Sequence, residues 1–283
     1  MISKAEQQKA FEEVYGALNA EQKLAVDTID GPVMVIAGPG TGKTQILGAR
    51  IGKILIETDT APENILCLTY TDAGAIAMRK RLVGFIGASA YKVNISTFHS
   101  FCNDIIQDNL SLFDKPSLDP ISELEKIELL KKLIDKFDKN NPLKRYRGDV
   151  YYEMSNLSRL FSTIKKEGWT STYLVQQIDQ YITDIPTRDE FVYKKKYKQF
   201  EAGDLKQGLV DAAIEKMEKL KAAVSAFDVY QELMKDHSRY DFDDMINWVI
   251  TAFKENKNFL VQYQEKYLYI LVDEYQDTSG TQN

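Results

Sequence analysis

Residues 37–44 read Ala-Gly-Pro-Gly-Thr-Gly-Lys-Thr. Glycines in such a run let successive backbone N–H groups turn inward and form a nest for an anion. A helix starting near Lys43 adds the positive end of its dipole to the same place. Lys43 can then reach the outer phosphates of a bound polyphosphate, and the Thr44 hydroxyl can ligate Mg²⁺. At the other end, Leu-Tyr-Ile-Leu-Val runs into Asp273-Glu274. That is the pattern of a buried strand delivering two carboxylates to its carboxyl end. Asp273 suits a divalent cation, held directly or through water. Glu274 suits the orientation and deprotonation of an attacking water. The chemistry these groups share is cleavage of a phosphoanhydride, and it requires residues 43 and 273 to meet.

The elements that must bring them together are legible as patterns. Val33–Ala37 reads as a short buried strand, followed by the glycine-rich turn and a helix through Ile56. Ile65–Tyr70 and Val93–Thr97 read as two more strands, followed by helices over Asp72–Ile86 and Phe98 to about Asn109. Strict alternation of strand and helix implies a parallel sheet. From Leu112 to Asp236 no strand is expected. Residues 121–137, 170–182 and 209–234 carry apolar side chains at helical spacing. A Thr or Ser near residue 170 can cap the second of these helices. From Tyr240 the first pattern returns, with a helix over Asp243 to about Lys254, a short helix and the closing strand. The expected fold is α/β, a parallel sheet over 1–111 and 237–283, interrupted by an inserted all-helical domain over 112–236.

Composition bounds the rest. The 283 residues are 44% hydrophobic and 28% charged, with a formal net charge of −6. No basic coat exists, although a local basic groove remains open. Cys67 and Cys102 belong to no CxxC or Cys/His cluster, so metal and redox roles lack support, and both read as buried apolar residues. The N-terminal stretch has no signal-peptide core, and no apolar run approaches the ~20 residues that span a bilayer. A cytoplasmic location and no membrane partner are expected. Phe191–Phe200 interleaves lysines with aromatics. It reads either as a stripe that holds phosphates and stacks bases, or as a helix with aromatics inward and lysines solvated. Lys144, Arg145 and Arg147 form a smaller cluster open to the same two readings.

Several ordered motifs together resemble the UvrD/Rep/PcrA family of superfamily 1 DNA helicases. Leu18–Val26, LNAEQKLAV, resembles the family's Q motif. Thr69–Ala75, TYTDAGA, and Ser96–Phe101, STFHSF, resemble its two single-strand-binding segments. Tyr240–Ile246, YDFDDMI, and Val272–Gln282, VDEYQDTSGTQ, complete the set. The resemblance covers about 1–110 and 237–283, and by position the helical insert looks like subdomain 1B. It implies a RecA-like fold, and ATP with Mg²⁺. Gln22 would read the adenine edge, Gly38, Pro39, Gly40, Thr41, Gly42, Lys43 and Thr44 would form the phosphate loop, Gln45 would stand at an adenine-side position of the ATP site, and Thr44 and Asp273 would hold the metal. Lys43 and Glu274 would be catalytic. It also implies contact with single-stranded DNA and duplex junctions through Thr69, Tyr70, Thr71, Thr97, Phe98 and His99, and movement from 3′ to 5′.

This chain departs from the family at two places. Asp72-Ala73 stands where Asn-Lys is common, so Asp72 is read as a helix cap, and the change resembles the RecB/AddA helicase–nuclease branch. Gln45 stands where many relatives carry Arg. The second RecA-like domain of the family has no counterpart here, so the chain is expected to be an N-terminal piece of a longer helicase. On its own it could be an ATP- and DNA-binding module without turnover. A P-loop kinase or signalling ATPase fits poorly, because STFHSF and DEYQDT have no reason to occur together there.

Overall fold

The computed structural model describes residues 4–38, 40–113, 119–145 and 147–283. In chain order the elements are α1 (Lys4–Gly16), α2 (Ala20–Asp27), α3 (Lys43–Glu57), β1 (Ile65–Thr69), α4 (Asp72–Ile86), β2 (Asn94–Thr97), α5 (Phe98–Asp108) and α6 (Leu110–Phe113). There follow β3 (Asp119–Pro120), α7 (Glu123–Lys136), α8 (Met154–Glu167), α9 (Ser171–Asp184), α10 (Gln207–Asp236), β4 (Arg239–Tyr240), α11 (Phe242–Glu255), α12 (Lys257–Lys266) and β5 (Tyr269–Val272). The chain divides into two compact units: Met1–Phe113 with Trp248–Asn283, and Asp114–Asn247.

The first unit is built on a parallel sheet ordered β2-β1-β5. The central strand, Ile-Leu-Cys-Leu-Thr, is buried throughout, as a parallel strand covered on both faces must be. Cys67 pairs in register with Ile95 on one side and Leu271 on the other. Ile51, Ile54, Met78, Leu82 and Phe85 from α3 and α4 pack onto this layer. Two glycines one turn apart on α3 permit the close approach. A Cβ at Gly48 would lie 2.8 Å from the Phe85 ring, and one at Gly52 would lie 3.1 Å from Phe11. Parallel strands share one carboxyl edge, so the segments after Thr69, Thr97 and Val272 all leave the sheet at that edge.

Residues 33–37 are not a strand. Met34 is 76% and Ile36 92% exposed. A strand exists only where another strand accepts its ladder. The segment that includes Val33–Val35 faces Leu268–Val272 across a cavity of about 760 Å³ instead of pairing with it. The same gap corrects the expectation of a buried closing strand. β5 is an edge strand whose Leu271 is buried while Ile270, and Leu268 just before the strand, are exposed.

The second unit is mostly helical. Leu130, Leu133 and Ile134 of α7 pack with Phe161 and Ile164 of α8 and with Phe227 and Tyr230 of α10. Ser122 caps α7 in a reciprocal box with Glu125, and Thr170 caps α9. Helix α8 has no counterpart among the sequence expectations. The expectation of no strand before Asp236 also needs correcting, because β3 pairs in parallel with β4, Asp119 opposite Arg239. Residues 191–206 are not a helix. Antiparallel bridges join Val192 to Leu205 and Tyr197 to Phe200.

One ionic cluster is buried in this unit. The Lys165 ammonium lies 2.7 Å from Asp241 Oδ2 and 2.8 Å from Asp244 Oδ1. The two aspartates also cap the start of α11 reciprocally. Asp241 Oδ1 accepts from the Asp244 N–H at 3.1 Å, and Asp244 Oδ2 from the Asp241 N–H at 2.9 Å. Burial pushes the Asp241 carboxyl above its ordinary value, against the opposing pull of Lys165.

Candidate functional site

The glycine-rich run leads directly into α3. Gly42 is its N-cap with φ of 85°, and Gly40 has φ of 75°, both in the left-handed region that favours glycine. Thr41 Oγ1 donates to the Gly38 carbonyl at 2.7 Å, which closes the turn. Lys43 Nζ is 3.5 Å from the same carbonyl. Its ammonium therefore lies over the loop. Pro39 lies outside the described residues. Thr44 is the second residue of α3 and is partly buried.

Gln22 stands beside this loop. Its Nε2 donates to the Thr41 carbonyl at 3.0 Å, and its Oε1 accepts from the Asn19 N–H at 2.9 Å. Asn19 caps α2 through the Gln22 N–H, so the motif is also a capping box. Sequence reasoning missed the group that seats α2. Arg50, from α3, donates through Nη1 to the Ala25 carbonyl at 2.6 Å and to the Thr28 carbonyl, and through Nη2 to the Ile29 carbonyl at 3.3 Å. A lone arginine on an amphipathic helix gives no sign in the sequence that it will reach three carbonyls. Gln45 lies on the loop side of α3, its side chain close to Gly42.

The acid pair comes to the same region. The Asp273 N–H donates to the Leu68 carbonyl at 2.8 Å, which extends the β5–β1 ladder by one residue and anchors the side chain. Asp273 Oδ1 accepts from the Glu274 N–H at 3.0 Å. Glu274 has φ of 53°, a left-handed conformation uncommon outside glycine and costly enough to need support from its surroundings. Gln276 Nε2 donates to Glu274 Oε2. Lys43, Asp273 and Glu274 all line the cavity of about 760 Å³. Burial raises the Asp273 pKa most, and the Glu274 charge raises it further, while Lys43 and Arg81 draw it down. A carboxyl held above its ordinary value gains from an added cation, which would stabilise its ionised form.

The residues expected to meet DNA divide by exposure. Tyr70 presents an exposed ring at the carboxyl end of β1. Thr69, Thr97 and Phe98 are buried. Thr69 Oγ1 donates to the Thr71 carbonyl at 3.0 Å, and Thr97 caps α5 by accepting from the Ser100 N–H at 3.2 Å. These hydroxyls shape the loops. Thr71, not Asp72, is the N-cap of α4, accepting from the Gly74 N–H at 3.1 Å, and Asp72 sits in the first turn, where its charge favours the dipole. His99 is half-buried in the first turn of α5. A second cavity, of about 510 Å³, opens at this edge and is lined by Ile76, Arg79, Lys80, Tyr91, Ser96 and Thr97. Thr97 is the only DNA candidate among its lining residues. Arg79, unremarked in the sequence, donates to the Ala90 and Val93 carbonyls at 2.9 and 3.1 Å and so secures the entry to β2.

The family model for the UvrD/REP helicase N-terminal domain matches residues 18–283. This chain belongs to that family. It is similar to the DNA helicase II of Rickettsia typhi, 30% identical over 270 residues that make up 94% of this chain and 34% of the relative. It is similar in the same degree to the ATP-dependent DNA helicase PcrA of Staphylococcus epidermidis and of Staphylococcus aureus, 30% identical over 265 residues, 94% of this chain and 30% of each relative. The chain thus spans about a third of the length of the curated relatives it matches. Among the described residues no helix is long and apolar enough to cross a membrane.

Proposed function

We propose that this UvrD/REP-family chain is the nucleotide-binding portion of an ATP-dependent DNA helicase that moves 3′ to 5′ along single-stranded DNA. The observation that carries the reading is the convergence of Lys43, Asp273 and Glu274 on one cavity, from opposite ends of the chain. In this reading Met1–Phe113 with Trp248–Asn283 is a RecA-like nucleotide-binding unit, and Asp114–Asn247 is its helical insertion. The family match and the printed names of the staphylococcal relatives support ATP and DNA as the ligands. The direction of movement rests on the family resemblance.

Each residue then has a defined task. The N–H groups around Gly40 and Gly42 hold the phosphates, and the Lys43 ammonium neutralises their outer charge. Gln22, seated by Arg50 against the loop, offers an amide donor and acceptor to the adenine edge. Thr44 and the Asp273 carboxylate fit Mg²⁺, which when bound offsets phosphate charge. Glu274 orients the attacking water and accepts its proton. Exposed Tyr70 offers a ring to a DNA base.

Lys43→Ala in this chain tests the nucleotide site. Binding of a fluorescent ATP analogue should be lost while the fold, followed by circular dichroism, persists. Unchanged affinity overturns the assignment. In the longer protein, Glu274→Gln should spare ATP binding and remove DNA-stimulated turnover. Turnover that survives removes Glu274 from the role of base.

A further inference from the structure

The lysine-aromatic stretch forms a hairpin within residues 191–206. Its base is fixed by Phe191, buried with Ile185 and Val210. The arms are joined by the Lys206 N–H donating to the Phe191 carbonyl at 2.8 Å and the Tyr193 N–H to the Asp204 carbonyl at 2.9 Å. At the tip Tyr197 and Phe200 exchange both backbone hydrogen bonds, at 2.9 and 3.0 Å, around Lys198 with φ of 54°. This turn brings three rings into one deck. Tyr193 stacks on Phe200 with centroids 4.8 Å apart and planes 10° from parallel, and on Tyr197 at 6.2 Å and 11°. Tyr197 ends the deck at 55% exposure. Rings that merely filled a core would be covered, whereas this deck ends in an accessible aromatic face.

The charges around the deck are divided. Lys194 is paired with Asp189, and Lys196 with Glu201. Among the described residues Lys195 and Lys198 have no carboxylate partner, and the Lys198 ammonium stands 5.3 Å from the centre of the Tyr197 ring. Beside the hairpin, Arg188, Lys194 and Lys206 line a cavity of about 540 Å³ together with Asp189 and Glu190. The buried Arg188 Nε has no hydrogen-bond partner. A stacked aromatic edge flanked by unpaired cations, on a chain of net charge −6, matches one ligand chemistry best. Unpaired bases have π-faces to stack and phosphates to pair.

We infer that the hairpin tip is a second single-stranded nucleic-acid contact, in which Tyr197 stacks a base while Lys195 and Lys198 hold the adjoining phosphates. This deepens the DNA-binding reading above and rests on it. The site is specific to unpaired strands, because a base inside a duplex has no face free for Tyr197.

The test uses the full 283-residue chain and fluorescence anisotropy of a labelled oligothymidylate across a salt series. Tyr197→Ala should weaken binding about tenfold, within the range for loss of one base stack, and Tyr197→Phe should restore it. Lys195→Gln with Lys198→Gln should lower the slope of log affinity against log salt by about 1.4, at about 0.7 per lost phosphate contact on a single strand. A blunt duplex of the same length should be indifferent to Tyr197→Ala. If the wild-type chain binds the oligonucleotide and all variants bind alike, the hairpin proposal falls and the DNA-binding reading stands. If the wild-type chain binds no DNA at low salt, both fall. Equal loss on the duplex overturns the assignment to unpaired bases.

Discussion

Replacing Lys165 by Met should destabilise the helical unit by about 3–5 kcal/mol, the usual cost of removing one partner from a buried ion pair. The Lys165 side chain is 2% exposed and its ammonium touches two carboxylates, at 2.7 and 2.8 Å. Opposite unit charges about 4 Å apart attract by about 4 kcal/mol at an effective dielectric near 20. Two such attractions exceed the net effect because burying the charges has already offset much of them. Methionine fills the space but leaves Asp241 and Asp244 facing each other. The pH dependence has a definite sign. A carboxyl whose folded pKa is raised binds more protons in the native state, so its contribution to stability falls as pH rises from the ordinary aspartate value through the raised one. Burial already raises Asp241, and losing Lys165 removes a group that holds it down. The deficit of the variant should therefore shrink as pH is lowered. Urea denaturation followed by helical circular dichroism, repeated from neutral to acid pH, measures both. Adding Asp241→Asn and Asp244→Asn keeps the capping acceptors, removes the unpaired charge and should recover most of the loss. A deficit below about 1 kcal/mol, or one that the Asn pair does not reduce, would refute the ionic account.

Two glycines should respond with opposite sign. Gly48→Ala should cost about 1–2 kcal/mol in urea denaturation, because overpacking against the Phe85 ring at 2.8 Å outweighs the helix propensity of alanine, while Gly84→Ala, with nothing within 4 Å, should stabilise by up to about 1 kcal/mol. Arg50→Ala should cost about 2–4 kcal/mol by freeing three carbonyls and should weaken nucleotide affinity through Gln22. Arg50→Lys should recover only part, since one ammonium cannot span the fork. Burial pushes both thiols, Cys67 and Cys102, up to about 12, so neither should react with a disulfide reagent at pH 8 until the protein is unfolded.

Local chemistry in the sequence was enough to place most helices and the cap near residue 170, while the cap of α4 proved to be Thr71 and not Asp72. Thr170 caps α9, the apolar rhythm of 209–234 is the body of α10, and α4 runs from Asp72 to Ile86 as its pattern implies. These features depend on residues three or four apart, and the turn through Gly40 and Gly42 into α3 is equally local. The family was legible for the same reason, since its signatures are short runs of the chain.

What the tertiary structure decided involves partners far away in sequence. Val33–Ala37 has the composition of a strand and is not one, because pairing needs a neighbour and Leu268–Val272 lies across a cavity. The lysine-aromatic stretch is a hairpin because Phe191 is anchored beside Val210 and Tyr197 pairs with Phe200, which no helical periodicity reveals. Arg50 and Arg79 look like solvated charges until the fold brings backbone carbonyls to them. Local propensity and capping belong to the chain itself. Strand pairing, buried ion clusters and the meeting of Lys43 with Asp273 belong to packing, because each depends on the position of a second segment.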